Sequence, residues 1–237
     1  MMLSLISLGI WDEKDLSLRA VETAKSCSIV YLEKYTANTG VTARSLEKIL
    51  GKKVVEISRP ALEEKSKSIL QEAQKTDVAV LVPGDCLFAT THLSLIFDCR
   101  RKKIPFKIIH GSSILTAAGE AGLSLYKFGE VVSIPRWQKN FQPVGFYEKI
   151  LRNKKRGLHT LALLDIGMKP EEAIAIIKKI EKKPRLLKEK IICLEKAGSE
   201  EQKIYYSDAR KIRGTSPAIL IFPGKLNEFE KEFLESV

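Results

Sequence analysis

The run Val78-Ala79-Val80-Leu81-Val82 is apolar at all five positions and is closed by Pro83-Gly84. A strand of that kind has no polar face to give to water, so it must lie inside a sheet covered on both sides. Similar short β-branched runs precede and follow it, at Leu3–Leu8, Ile29–Leu32, Val54–Ile57 and Phe106–Ile109. Amphipathic helical patterns separate them, at Leu16–Lys25, Thr42–Leu50, Ala61–Lys75 and Thr91–Lys103. Ser58 before Pro60, with Glu63 and Glu64 following, reads as the start of the third of these helices. Strands alternating with helices predict an α/β fold, here a doubly wound, mainly parallel sheet over the first ~110 residues.

The second half has a different rhythm. Strands are expected at Val131–Ile134, Thr160–Leu164, Ile191–Leu194, Ile204–Ser207 and Ala218–Phe222, and helices at Ile114–Ala121, Phe146–Arg156, Pro170–Lys182 and Glu228–Glu235. The Glu195–Lys203 link is too short for a crossover helix, so its flanking strands should be antiparallel neighbours in a mixed sheet. The small residues of His110-Gly111-Ser112-Ser113 break the pattern. They divide the chain into an N-terminal parallel-sheet domain, 1–110, and a C-terminal mixed-sheet domain, 111–237. With 237 residues, each can bury its own core.

Several function classes are excluded by what is missing. No apolar run approaches the ~20 residues of a bilayer crossing, and the apolar N-terminus runs into Asp12–Asp15 without a basic leader. A cytoplasmic location is the expectation. Cys27, Cys86, Cys99 and Cys193 form no CxxC pair, and His92, His110 and His159 are scattered, so no metal site is expected. Ser7-Leu8-Gly9-Ile10-Trp11-Asp12 lacks two of the three glycines of a dinucleotide fingerprint. Walker A, G-x-S-x-G and H-E-x-x-H patterns are also missing. The net charge of +11 sits in runs at Arg100–Lys103, Arg152–Arg156 and Lys178–Lys190. Such a balance favours an acidic partner, but the runs fall at helix ends and carry no interleaved aromatics, so solvated faces are the simpler account.

Two strand-ending Pro-Gly turns, Pro83-Gly84 and Pro223-Gly224, would lie where open α/β sheets bind ligands. After the first, Asp85 either accepts from a ribose hydroxyl, attracts a cation, or caps the next helix. Ile109-His110-Gly111-Ser112-Ser113-Ile114 again passes from strand to helix, with small residues that admit a ligand close to the backbone or simply cap the helix.

The string PGDCLFATTH (Pro83–His92) resembles the PGDPLVATTH element of diphthine synthases of the archaeal type. LGIWDEKDLS (Leu8–Ser17), HGSSI (His110–Ile114), YKFG (Tyr126–Gly129), RGLHTLALLDI (Arg156–Ile166), KAGS (Lys196–Ser199) and PGKL (Pro223–Leu226) agree in the same order. The resemblance implies a tetrapyrrole-methylase-like fold of two α/β domains holding S-adenosylmethionine in the cleft between them. It further implies successive N-methylation, to the trimethylated product, of a modified histidine on translation elongation factor 2 in diphthamide biosynthesis. S-adenosylhomocysteine would be the by-product. A homodimer without stable nucleic-acid binding is expected.

Carried over motif by motif, the cofactor contacts are Ile10, Asp85, Phe88, Ser113, Ile114, Leu164, Ala197 and Asn227. The last is usually histidine in the family. Cys86 and Phe88 also depart from the pattern, which would tighten the pocket. No catalytic residue is assigned: a neutral amine needs alignment more than a strong base, and His110 and His92 are read as structural. Tyr126 and Phe128 are expected in the core, with Tyr147 a further candidate lining for the methylation pocket. Trp137 and Phe141 are expected against an acidic protein substrate. Two other readings remain open: a related methyltransferase acting on a porphyrinoid or ribosomal RNA, and a non-catalytic elongation-factor- or RNA-binding protein with a degenerate cofactor cleft.

Overall fold

The computed structural model describes residues 1–64 and 67–237, without the side chains of Glu63 and Glu64. The chain divides into two compact units, Met1–Ile114 and Leu115–Val237.

In the first unit, β1 (Leu3–Ser7), β2 (Ile29–Glu33), β3 (Val55–Ile57), β4 (Val78–Val82) and β5 (Phe106–Ile109) form one sheet in the order β3-β2-β4-β1-β5. Every pairing is parallel, with Leu3 opposite Val78 and Ser7 opposite Val82. The apolar Val78–Val82 run is the central strand, and all five of its residues are buried. Side chains alternate across the pleat. Leu3, Leu5, Val78, Val80 and Val82 pack with α3 (Lys67–Ala73) and α4 (Leu93–Arg101). Ile6, Ala79 and Leu81 pack on the other face with α1 (Leu18–Ser26) and α2 (Ala43–Leu50). Local chemistry sets the helix ends: Thr42 and Ser45 exchange capping hydrogen bonds at 3.0 and 3.2 Å, and Gly51, at φ 68°, closes α2.

The helix expected at Ala61–Lys75 is instead a π-helical turn, Pro60–Glu64, followed by α3. Lys65, Ser66 and the first-turn Glu63 and Glu64 side chains lie outside the described residues.

In the second unit, β6 (Val132–Ile134), β7 (Thr160–Leu164), β8 (Lys190–Glu195), β9 (Lys203–Asp208) and β10 (Ala218–Phe222) are ordered β6-β7-β10-β8-β9. β6 and β7 are parallel and the other pairings antiparallel, so the sheet is mixed, with β8 and β9 adjacent. α6 (Gly145–Lys155) and α7 (Pro170–Ile180) contribute Phe146, Ile150, Ala173 and Ile177 to one core. The helix expected at Ile114–Ala121 is one α-turn, α5 (Ile114–Ala117), continued as a 3-10 turn, Ala118–Ala121. α8 (Glu228–Glu235) ends the chain's regular structure.

Coverage of the first sheet on both faces is directly testable. Leu5 and Leu81 are fully buried and point to opposite layers. Leu5→Ala and Leu81→Ala should each lower unfolding stability by about 3 kcal/mol in urea titrations. A negligible loss at either position would mean that one face of the sheet is open.

Candidate functional site

Connections from the middle of the first sheet run in opposite directions. β1 leads through α1 to β2 on one side, and β4 leads through α4 to β5 on the other, with the two helices on opposite faces. The carboxyl ends of β4 and β1 therefore form a topological switch point, where open α/β sheets bind ligands.

Two glycines fix the loops at this point. Gly9 donates to Gly84 O at 3.3 Å, and Gly84 donates to Gly9 O at 2.7 Å. Parallel strands cannot exchange two bonds between one residue pair. Here φ angles of +91° and +73° turn both chains until they meet as an antiparallel bridge. A Cβ on Gly9 would stand 2.3 Å from Asp15 Cβ, so that position has no room for a side chain. A Cβ on Gly84 would meet nothing within 4 Å, so open space faces its backbone.

Ser7 Oγ accepts from Cys86 N at 2.9 Å, which ties the β4 loop to the end of β1. The β5 loop closes in as well, because a Cβ on Gly111 would lie 2.8 Å from Ser7 Cβ. Asp85 stands where the β4 and β5 loops meet. Its Oδ1 accepts from Leu87 N at 3.0 Å, and its Oδ2 accepts from His110 Nδ1 at 2.8 Å and Gly111 N at 3.4 Å. Burial alone would raise the carboxyl's pKa, but the bonds from Leu87, His110 and Gly111 outweigh it and hold the group below its ordinary value. Asp85 does not cap the next helix: α4 begins at Leu93, after His92.

Ile10, Asp85, Phe88, Ser113 and Ile114 all come from these three loops or their continuation into α5. The remaining candidates divide within the second unit. Leu164 ends β7 and Ala197 follows the carboxyl end of β8, both near the start of β10. Asn227 follows the far end of β10, beside the start of β7, because Phe222 pairs with Thr160. There Asn227 caps α8: its Oδ1 accepts from Glu230 N at 2.8 Å, and its N donates to Glu230 Oε2 at 2.9 Å. It also lines a cavity of about 430 Å³ with Gly122, Phe229 and Phe233.

The second Pro-Gly turn is structural rather than a ligand turn, because β10 runs opposite to β7 and β8. Gly224 donates to His159 Nδ1 at 2.9 Å, and a Cβ there would stand 2.5 Å from the carbonyl oxygens of Gly157 and Leu158. With Nδ1 accepting, the His159 proton resides on Nε2, which donates to Glu230 Oε1 at 3.2 Å. Lys127 Nζ bonds Glu230 Oε2, and Ser124 N donates to Oε1 at 3.1 Å. The YKFG, RGLHTL and PGKL strings thus meet in one buried network that sequence reading did not foresee. The one hint was a recurring histidine or glycine in each string, which gives no direction.

One aromatic expectation is corrected, and the other aromatics are placed. Tyr126, expected in the core, is 98% exposed, because it occupies a 3-10 turn whose polar neighbour Lys127 points to Glu230. Trp137 is half-buried: it packs on the core and donates from Nε1 to Pro143 O at 3.2 Å. Phe128 is half-buried with its ring edge-on to His159, Tyr147 packs against the core and bonds Glu181, and Phe141 is exposed. Cys86 is buried in the first core, where it cannot narrow a ligand pocket.

Residues 2–212 match the tetrapyrrole (corrin/porphyrin) methylases. The chain belongs to this family. Among the methylases it is similar to diphthine synthase of Methanocaldococcus jannaschii, at 36% identity over 99% of this chain and 98% of that protein. It is 40% identical to diphthine methyl ester synthase of Homo sapiens over 92% of this chain and 75% of that one. A crystal structure of diphthine synthase matches all of this chain and 95% of the other with a TM-score of 0.92 at 29% identity. The chain is therefore a methyltransferase of the diphthine synthase group. Among the described residues of this methylase no helix is long and apolar enough to cross a membrane.

The buried network sets an acid dependence. Burial pushes the His159 pKa below 6.5, and Glu230 only partly offsets it. Burial opposes ionisation of Glu230 too, but bonds from Lys127, Asn227, Ser124 and His159 bring its pKa from 4.5 down to about 2. Both folded values lie below the unfolded ones, so the unfolded chain binds more protons. The stabilisation is complete above about pH 6.5 and is lost on acidification, first through His159 and then through Glu230 below pH 4.5. Glu230→Gln should cost about 3 kcal/mol at pH 7 and flatten the fall in stability between pH 6 and 3. Urea titrations across that range check this. An unchanged slope would place the acid sensitivity elsewhere.

Proposed function

We propose that this chain methylates the nitrogen of the modified histidine of translation elongation factor 2, using S-adenosylmethionine, through to the trimethylated product of diphthamide biosynthesis. The observation that carries the reading is the switch point itself. Three loops converge on an ionised Asp85, beside a glycine backbone with open space before it.

The residues suit such a cofactor. An ionised carboxylate offers roughly four acceptor sites. Leu87, His110 and Gly111 use three, leaving one for a ribose hydroxyl. Ile10 and Phe88 are half-buried and offer apolar surface to an adenine ring. Ser113 and Ile114 add a hydroxyl and a helix start. Leu164 and Ala197 complete the assignment from the C-terminal domain, which we take as 111–237, with 1–110 as the N-terminal one. Asn227 enters it through its place after Pro223–Leu226, and its capping role needs no titrating group.

When bound, the cofactor's sulfonium supplies a methyl group activated for displacement. The protein's part is to align the acceptor nitrogen, exclude water and keep the amine unprotonated. The basic surface suits an acidic protein partner. We take the enzyme to be a cytoplasmic homodimer that holds no nucleic acid stably. Of the three departures behind a degenerate, non-catalytic cleft, Cys86 lies in the core and Asn227 caps a helix, which leaves Phe88 as that reading's remaining support. Relatives named diphthine methyl ester synthase favour a second product, in which a carboxylate also receives a methyl group.

Calorimetry should give micromolar S-adenosylmethionine binding, weakened at least tenfold in a folded Asp85→Ala variant. Mass spectrometry of elongation factor 2 carrying the unmethylated histidine derivative then counts the methyl groups added. Absence of binding by the folded wild-type chain, even with that substrate present, would overturn the proposal.

A further inference from the structure

Three histidines lie in this chain, and they differ in what their ring nitrogens can reach. The His159 side chain is 0% exposed, with Nδ1 taken by Gly224 N and Nε2 by Glu230. The His92 side chain is 1% exposed and lies beside Glu33 and Tyr35. The His110 side chain is 67% exposed, although Nδ1 is held 2.8 Å from Asp85 Oδ2.

That contact determines the tautomer. An ionised carboxylate only accepts, so Nδ1 is the nitrogen that donates to Asp85, and in the neutral ring the lone pair lies on Nε2. Asp85 is itself anchored: its side chain is 14% exposed and it accepts from two backbone N–H groups besides the imidazole. Gly111, next in the chain, is pressed against Ser7 and leaves the His110 backbone little freedom. The ring therefore stands fixed at the switch point, one nitrogen oriented by a carboxylate and the other turned outward. This is the arrangement of an imidazole base held by an acidic partner.

We propose that His110 Nε2 accepts the proton that the substrate amine must lose before each N-methylation, with Asp85 as its positioning partner. The inference rests on the methyltransferase reading above. An alkyl ammonium has no lone pair to attack with. One N–H bond breaks, its electron pair stays on the substrate nitrogen, and the proton forms a new bond to His110 Nε2. The resulting imidazolium is balanced by the Asp85 carboxylate and returns the proton to water. Asp85, from the β4 loop, is the charged group in contact with the ring, and Gly111 N shares its Oδ2.

His110→Gln keeps a hydrogen-bond donor for Asp85 but cannot carry the proton, and at this exposed site it should fold. Single-turnover methylation of elongation factor 2 at pH 7 should slow about a hundredfold or more. The rate should partly recover as pH rises, because the free amine then forms in solution. Cofactor affinity by calorimetry should stay within about threefold, since Asp85 keeps its two backbone donors. Nitrogen-15 spectra of the protein without cofactor, assigned with the same variant, should show His110 protonated on Nδ1.

A variant as fast as wild type would overturn the proposal. So would a rate loss matched by an equal loss of cofactor affinity, or a neutral ring whose single proton is on Nε2. Failure of the underlying function would show differently, in wild-type protein that transfers no methyl group at all.

Discussion

The pairing of β1 with β4 continues past both strands as the two-way bond between Gly9 and Gly84, and the site is built outward from that bond. Parallel strands end with their loops pointing away from the sheet, free to diverge. Left-handed φ at both glycines turns the loops toward each other and leaves Gly84 without a covering side chain. Once they are joined, Ser7 can hold Cys86 N, and Asp85 falls within reach of His110 and Gly111. A side chain at Gly9 would break the first step and, with it, the position of every later group.

The second unit uses its shared strings differently. Lys127, His159, Gly224 and Glu230 are locked to one another inside the fold, so YKFG, RGLHTL and much of PGKL serve stability. Asn227, which follows PGKL, serves the same end as a helix cap. An asparagine fills that role as well as any residue, and its side-chain oxygen is already engaged. The unit's own candidates for contact, Leu164 and Ala197, lie at the other end of the sheet. Lys196, just before Ala197, takes a φ of +46°, and Ala89 in the PGD–ATTH string takes +55°. Such angles are costly for residues with side chains, and Lys103, after α4, takes one as well at +54°.

Layering and topology were legible because they rest on local periodicity. Val78–Val82 and Thr160–Leu164 are strands at the expected residues, and the short Glu195–Lys203 link does join antiparallel neighbours. What escaped depends on contacts between distant residues. Nothing near Gly9 announces Gly84, 75 positions on, and Glu230 reads as one more acid on an amphipathic helix. Tyr126 was misplaced because an aromatic residue close to the apolar Leu125 and Phe128 carries a core signal whether or not its turn faces inward. Asp85 was legible as important, but its helix-cap alternative fell only when α4 was seen to begin at Leu93.

The central claim is that the loops after β1, β4 and β5 jointly hold the cofactor. Hydrogen exchange with and without S-adenosylhomocysteine measures this most directly, because it reads each loop separately and needs no catalysis. The account predicts slowed exchange in residues 9–11, 84–88 and 111–114, with the buried network around His159 unchanged. Protection confined to the cavity beside α8, with those three loops unaffected, would contradict it.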